Sequence, residues 1–132
     1  MTTIAVPISP GELLDKITIL RIKKARITDP AKAANVRHEL DLLEATWRNL
    51  GFKSPRLEAE ERALEAVNAR LWDVEDALRE HEARQAFGPS FIELARSVYV
   101  NNDERAAIKK RINLELGSKI VEEKSYTNYK KT

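Results

Sequence analysis

The chain has 132 residues, a length that predicts one compact domain. Hydrophobic residues make up 42% and charged residues 33%, against 4 glycines and 5 prolines. That is too apolar for a disordered chain and too poor in turn residues for a many-stranded β fold. With 23 basic and 21 acidic residues the formal net charge is +2. Because acids and bases alternate along the chain, the charge solvates the surface and gives no nucleic-acid signature.

Cysteine is absent, which removes disulfides, thiolate metal sites and thiol nucleophiles. The opening Met1-Thr2-Thr3-Ile4-Ala5-Val6-Pro7 lacks the basic start and apolar core of an export signal, and no stretch has the apolar length of a bilayer span. The expectation is a soluble, cytoplasmic protein with no membrane contact.

Helix boundaries follow in order from the punctuation. The N-terminal arm, Thr2 to Ile8, is β-branched and broken by Pro7, so it reads as extended. Ser9-Pro10-Gly11-Glu12 is a capping box with proline at the first helical position, and Glu12 is expected to reach back to the serine N–H. It opens a first helix over roughly 9–27. Asp29-Pro30 opens a second over 29–50, closed by Gly51 in a left-handed C-terminal position with Phe52 over the helix end. Ser54-Pro55 opens a third over 54–86, ahead of Phe87-Gly88-Pro89. A second capping box, Ser90-Phe91-Ile92-Glu93, opens a fourth over 90–101. Asn101-Asn102-Asp103 breaks the pattern, so that Asp103 caps a fifth helix over 103–116 before Gly117. The tail from Lys119 to Thr132 has apolar residues but no period.

Val36, Leu40, Leu43, Trp47 and Leu50 recur at spacings of four and three, and Leu57, Leu64, Val67, Leu71, Val74 and Leu78 continue that rhythm in the third helix. One apolar stripe per helix makes an all-α antiparallel bundle. The short loop between the second and third helices predicts that these two are neighbours. The first helix is apolar on two sides: Leu13, Leu14, Ile17 and Leu20 on one, Ile19 and Ile22 on the other. So short a chain cannot easily enclose such a helix, which points to a homodimer with Ile19 and Ile22 in the interface.

Chemistry-bearing motifs are sparse. His38 and His81 lie on different helices without a partner at metal-ligand spacing, and neither a Gly-x-Ser-x-Gly turn nor a phosphate loop occurs. His81 is expected to end the apolar seam. The acids Glu58, Glu60, Glu61, Glu65, Asp73, Glu75 and Asp76 bring to mind helical nucleotide pyrophosphohydrolases, but the third acid stands one position late and the later pair shares the same helix. They read as a solvated face with Glu58–Arg62, Glu75–Arg79 and Glu80–Arg84 pairs. No metal site and no cofactor is expected.

Two polar groups remain. In the third helix Glu61, Asn68, Trp72, Glu75 and Arg79 share a side next to the leucine seam, while Arg21 and Lys24 fall at or inside the apolar arc of the first helix. Charges placed there are paired, snorkel outward, or line a cavity, as in the small all-α chorismate mutases. Further on, Arg96, Tyr99, Asn102 and Arg105 cluster about the predicted break, where arginine beside a helix start suits a carboxylate or phosphate. The candidate ligand-binding residues are therefore Arg21, Lys24, Trp72, Glu75, Arg96, Tyr99, Asn102 and Arg105. The basic runs Lys109-Lys110-Arg111 and Lys130-Lys131 do not share a face, and the helices are too long for a helix-turn-helix reader.

Three blocks carry a resemblance over nearly the whole chain: Ser9-Pro10-Gly11-Glu12-Leu13-Leu14-Asp15-Lys16-Ile17-Thr18-Ile19-Leu20-Arg21-Ile22-Lys23, then Ala95-Arg96-Ser97-Val98-Tyr99 with Asn102-Asp103-Glu104-Arg105, then Glu122-Glu123-Lys124-Ser125-Tyr126. In this order they resemble an uncharacterised bacterial family, a domain of unknown function. The resemblance implies a small free-standing bacterial protein in the setting of surface-polysaccharide biosynthesis, and assigns no residue a role. The reading is a non-enzymatic accessory protein that engages another protein or a small anion. The alternative is a small cytosolic enzyme acting on a phosphorylated or sugar-nucleotide metabolite.

Overall fold

The computed structural model describes residues 2–130. Among the described residues the fold is all-helical, with α1 (Pro10–Arg26), α2 (Pro30–Leu50), α3 (Pro55–Ala83) and α4 (Pro89–Glu115) and no strand. Each helix begins at a proline, where the missing N–H is no loss. Ser9, Asp29 and Ser54 cap the first three as their sequence predicts, accepting from the backbone N–H of Glu12, Lys32 and Leu57. Gly51 closes α2 at a left-handed φ of 69°.

The fourth and fifth predicted helices are one, because Asn101, Asn102 and Asp103 are all helical. Their side chains are engaged elsewhere instead of capping. Asn101 bonds the Ser97 carbonyl and Arg70, Asn102 accepts from Arg105, and Asp103 accepts from the Tyr129 hydroxyl. With no proline or glycine nearby, nothing stops the helix. The α4 cap also moves: Gly88 precedes Pro89, and Ser90 lies inside the first turn. Proline's preference for the first helical position outweighs the capping box.

α1 is the centre of the molecule. It packs against α2, α3 and α4, whereas α2 makes no close backbone approach to α3 despite the short loop joining them. The predicted adjacency of α2 and α3 therefore fails, because α1 satisfies the stripe of α2 first. Leu13, Ile17 and Leu20 meet Val36 and Leu40 on one side. Leu14 turns to the other side and packs with Leu57, Leu64, Val67, Ile108 and Ile112. Trp47 touches both clusters and stacks obliquely on Phe52, with ring centres 5.6 Å apart. Between α3 and α4 the polar pairs run in opposite order along the two helices: Ser54 with Glu115, Glu60 with Arg111, Arg70 with Glu104.

Candidate functional site

Two polar stripes face each other where α1 meets α4. Gly11, Asp15 and Thr18 lie along one side of α1, and Arg105, Lys109 and Asn113 recur every fourth residue on α4. Helical spacing of three and four puts each set in a line. At one end the Asn113 Oδ1 accepts from the Gly11 N–H at 2.7 Å, adding a second cap to α1 from across the bundle. The helices come close there because residue 11 has no side chain: a Cβ would lie 2.6 Å from the Lys109 carbonyl oxygen.

Asp15 sits at the middle of this seam with its side chain 2% exposed. Arg105 Nε donates to both carboxylate oxygens, at 2.9 and 3.1 Å, and Nη2 donates to Oδ2. Asn68 on α3 adds a donor to Oδ1 at 2.9 Å and also bonds the Thr18 hydroxyl. Lys109 lies 3.6 Å from Asp15, 2.7 Å from Glu12 and 3.5 Å from Glu122. Burial on its own would push the Asp15 carboxyl up. The hydrogen bonds from Arg105 and Asn68 and the nearby positive charges outweigh it and hold the group below its ordinary 3.8. Burial likewise opposes the charge on Lys109, and the carboxylates of Glu12, Asp15 and Glu122 more than restore it. The bond to Asp15 raises Arg105.

Glu12 thus points across to Lys109 instead of back to Ser9, which corrects the reciprocal capping-box expectation. Asp15, Asn68, Lys109 and Asn113 were not among the candidate ligand residues. Their signal is a polar residue on an apolar face and a polar stripe at four-residue spacing, but only the packing of α1 against both α3 and α4 makes them meet.

Arg105 lies between two concavities. A groove of about 390 Å³ runs over Ile19, Ile22, Leu71, Trp72, Glu75 and Arg79. A second, of about 1020 Å³, lies between α4 and the C-terminal tail and includes Tyr99, Asn102, Lys124, Tyr126, Tyr129 and Lys130. Arg105 forms part of both walls. Of the predicted ligand residues, Trp72 and Glu75 line the first and Tyr99 and Asn102 the second. The structure does not bring the other three there. Arg21 is held between Glu44 and Glu61, Lys24 is exposed on α1, and Arg96 is exposed on α4. Ile19 is half-buried and Ile22 is 8% exposed, and both line the smaller groove.

The acidic residues of α3 disperse instead of converging. Glu60 goes to Arg111, Glu61 to Arg21, Asp73 to Arg26 and Glu75 to Arg79. Among the described residues no group of three His, Asp or Glu side chains is placed to hold a metal ion. His81 packs against Phe91 with ring centres 6.2 Å apart, and His38 is exposed. No helix among the described residues is long and apolar enough to cross a membrane.

A family of unknown function, DUF6165, matches residues 4–132. The chain belongs to this family. The match spans all three sequence blocks, and the Asp15–Arg105 pair joins the first of them to the second. No curated protein and no solved structure matches the chain significantly.

Proposed function

We propose that this member of the family is a non-enzymatic accessory protein that binds a small anionic ligand. One observation carries the reading: the charges gathered inside the bundle are consumed by one another. Asp15 is saturated by Arg105 and Asn68, and Lys109 is shared among three carboxylates. A general acid or base needs a group whose proton is poised near neutral pH. Here the pairings fix Asp15 as an anion and Lys109 as a cation, which suits a scaffold that positions donors. The two concavities meeting at Arg105 give such a scaffold surfaces to bind with.

The accessory reading extends to a homodimer. Ile19, half-buried beside Leu71 and Trp72 in the smaller groove, offers a second copy an apolar contact.

A thermal-shift panel on the full chain tests ligand binding, with Mg²⁺ and Mn²⁺ crossed against nucleotides, nucleotide sugars and phosphosugars. The nucleotide sugars probe the surface-polysaccharide setting that the resemblance implies. One anionic class is expected to raise Tm by several degrees, since ligand at about 100 times its Kd stabilises by roughly 2.7 kcal/mol. Mass spectrometry should then recover that ligand unchanged. A flat panel overturns the reading, and conversion of the ligand replaces it with the enzyme alternative.

A further inference from the structure

The chain has 3 tyrosines, and all of them, Tyr99, Tyr126 and Tyr129, line the larger concavity. Its shape has a simple origin. The tail folds back along α4 and is tied down at two places. Glu122 and Glu123 lie against Lys109 and Lys110, and Tyr129 donates to Asp103 and packs edge-on against Tyr99 with ring centres 4.9 Å apart. On the helix side the ties are six or seven residues apart, about 10 Å at 1.5 Å per residue. The tail spends six residues, 123 to 129, on the same span, and extended chain of that length reaches about 20 Å. The excess bows away from α4 and leaves the space beneath it.

The walls of that space are chemically uneven. Lys124, Lys130 and Arg105 contribute cationic groups and Asp103 the single acid in the lining. Arg105 is held rigid by Asp15 through Nε and Nη2, so that its remaining nitrogen, Nη1, lies beside Asn102 at 3.5 Å. A donor fixed in advance loses little entropy when it binds. Tyr126 is 77% exposed, and Tyr99 and Tyr129 are each 42% exposed. Open aromatic faces beside lysines suit a ligand that has a planar ring at one end and negative charge at the other.

We propose that the concavity between α4 and the C-terminal tail binds a small phosphate ester carrying a planar ring, of the mononucleotide class. The volume of about 1020 Å³ is at the upper end for small-molecule sites, enough for such a ligand and its ordered water. The tyrosine rings stack on the base while Lys124, Lys130 and Arg105 take the phosphate. This rests on the binding-protein reading above and deepens it by giving the ligand a place and a class.

The test is calorimetric titration of the full chain with AMP, GMP, CMP and UMP, each compared with its nucleoside and with inorganic phosphate. At least one monophosphate should bind ten times more tightly than either of its parts. Tyr126→Ala, and separately Lys124→Ala with Lys130→Ala, should weaken it at least fivefold without moving the melting temperature, since these residues are exposed on the tail. Absence of binding by all four overturns the proposal, as does phosphate binding equally well or Tyr126→Ala binding normally. If the monophosphates fail while another anion from the thermal panel binds, the site assignment falls and the accessory reading stands. If a monophosphate binds and is converted, the site stands and the non-enzymatic reading falls.

Discussion

Arg105 on α4 donates three hydrogen bonds to the carboxylate of Asp15 on α1, joining positions 90 residues apart. This pair ties α1 to α4, and Asn68 extends the connection to α3. Its geometry also sets the orientation of the arginine at the junction of the two concavities. Helix packing and the walls of both concavities therefore share one residue.

Removing the carboxylate should be costly because Arg105 would then be left without its anion. Asp15→Ala is expected to destabilise by about 3 kcal/mol, the lower end for breaking a buried pair, since the Arg105 side chain is 31% exposed. Urea unfolding measures it. Asp15→Leu combined with Arg105→Leu should cost clearly less than the two single changes added together. Strict additivity would show that the pair contributes no coupling.

The pH profile follows from the direction of each shift. Asp15 titrates below 3.8 when folded, so the unfolded chain takes up that proton first on acidification. Its contribution to stability is complete above 3.8 and is lost as pH falls through the lowered folded value. Lys109 behaves in the opposite sense: its contribution is complete below 10.5 and is lost as pH rises through its raised folded value. Denaturation followed from pH 2 to 6 should show the acid loss in the wild type and a flatter slope in Asp15→Asn.

Gly11 is a steric prediction. A methyl group there would meet the Lys109 carbonyl oxygen at 2.6 Å and the Asn113 Oδ1 at 2.9 Å. Gly11→Ala must push α1 away from α4 and loosen the Asn113 cap, at a cost of about 2 kcal/mol despite alanine's better helix propensity. Thermal melting checks it, and an unchanged Tm would mean that the two helices can separate freely.

Ile19 and Ile22 of α1 should separate folding from self-association. Ile22→Glu places a charge at a buried hydrophobic position and is expected to unfold the chain. Ile19→Glu, at a half-buried groove position, should preserve the helical circular-dichroism spectrum while halving the mass in solution. A wild-type chain that sediments as a monomer refutes the homodimer.

Much of the architecture is legible in the sequence. Four proline starts, three side-chain caps and the glycine stop of α2 are local devices, each involving residues within a few positions of one another. The predicted break at 101–103 fails for the same reason. Asparagine and aspartate look like caps in sequence, whereas their actual partners include Arg70 and Tyr129, 31 and 26 positions away. The polar residues of the site were visible singly, and their pairing was not. Arg21 and Lys24 looked like lining because they bordered an apolar arc, yet Glu44 and Glu61 claimed the one and solvent the other.

By itself, the sequence determined the all-helical class, most of the helix starts and the apolar stripes, because capping and periodicity act over a turn or two of chain. Only the tertiary structure decided that α1 is the centre, that α4 is unbroken, and that Asp15 meets Arg105, Asn68 and Lys109. These outcomes depend on which stripe packs against which, and on the room that Gly11 leaves for α1 to approach α4. Charge pairing across helices is then set by distance in space, to which spacing along the chain is blind.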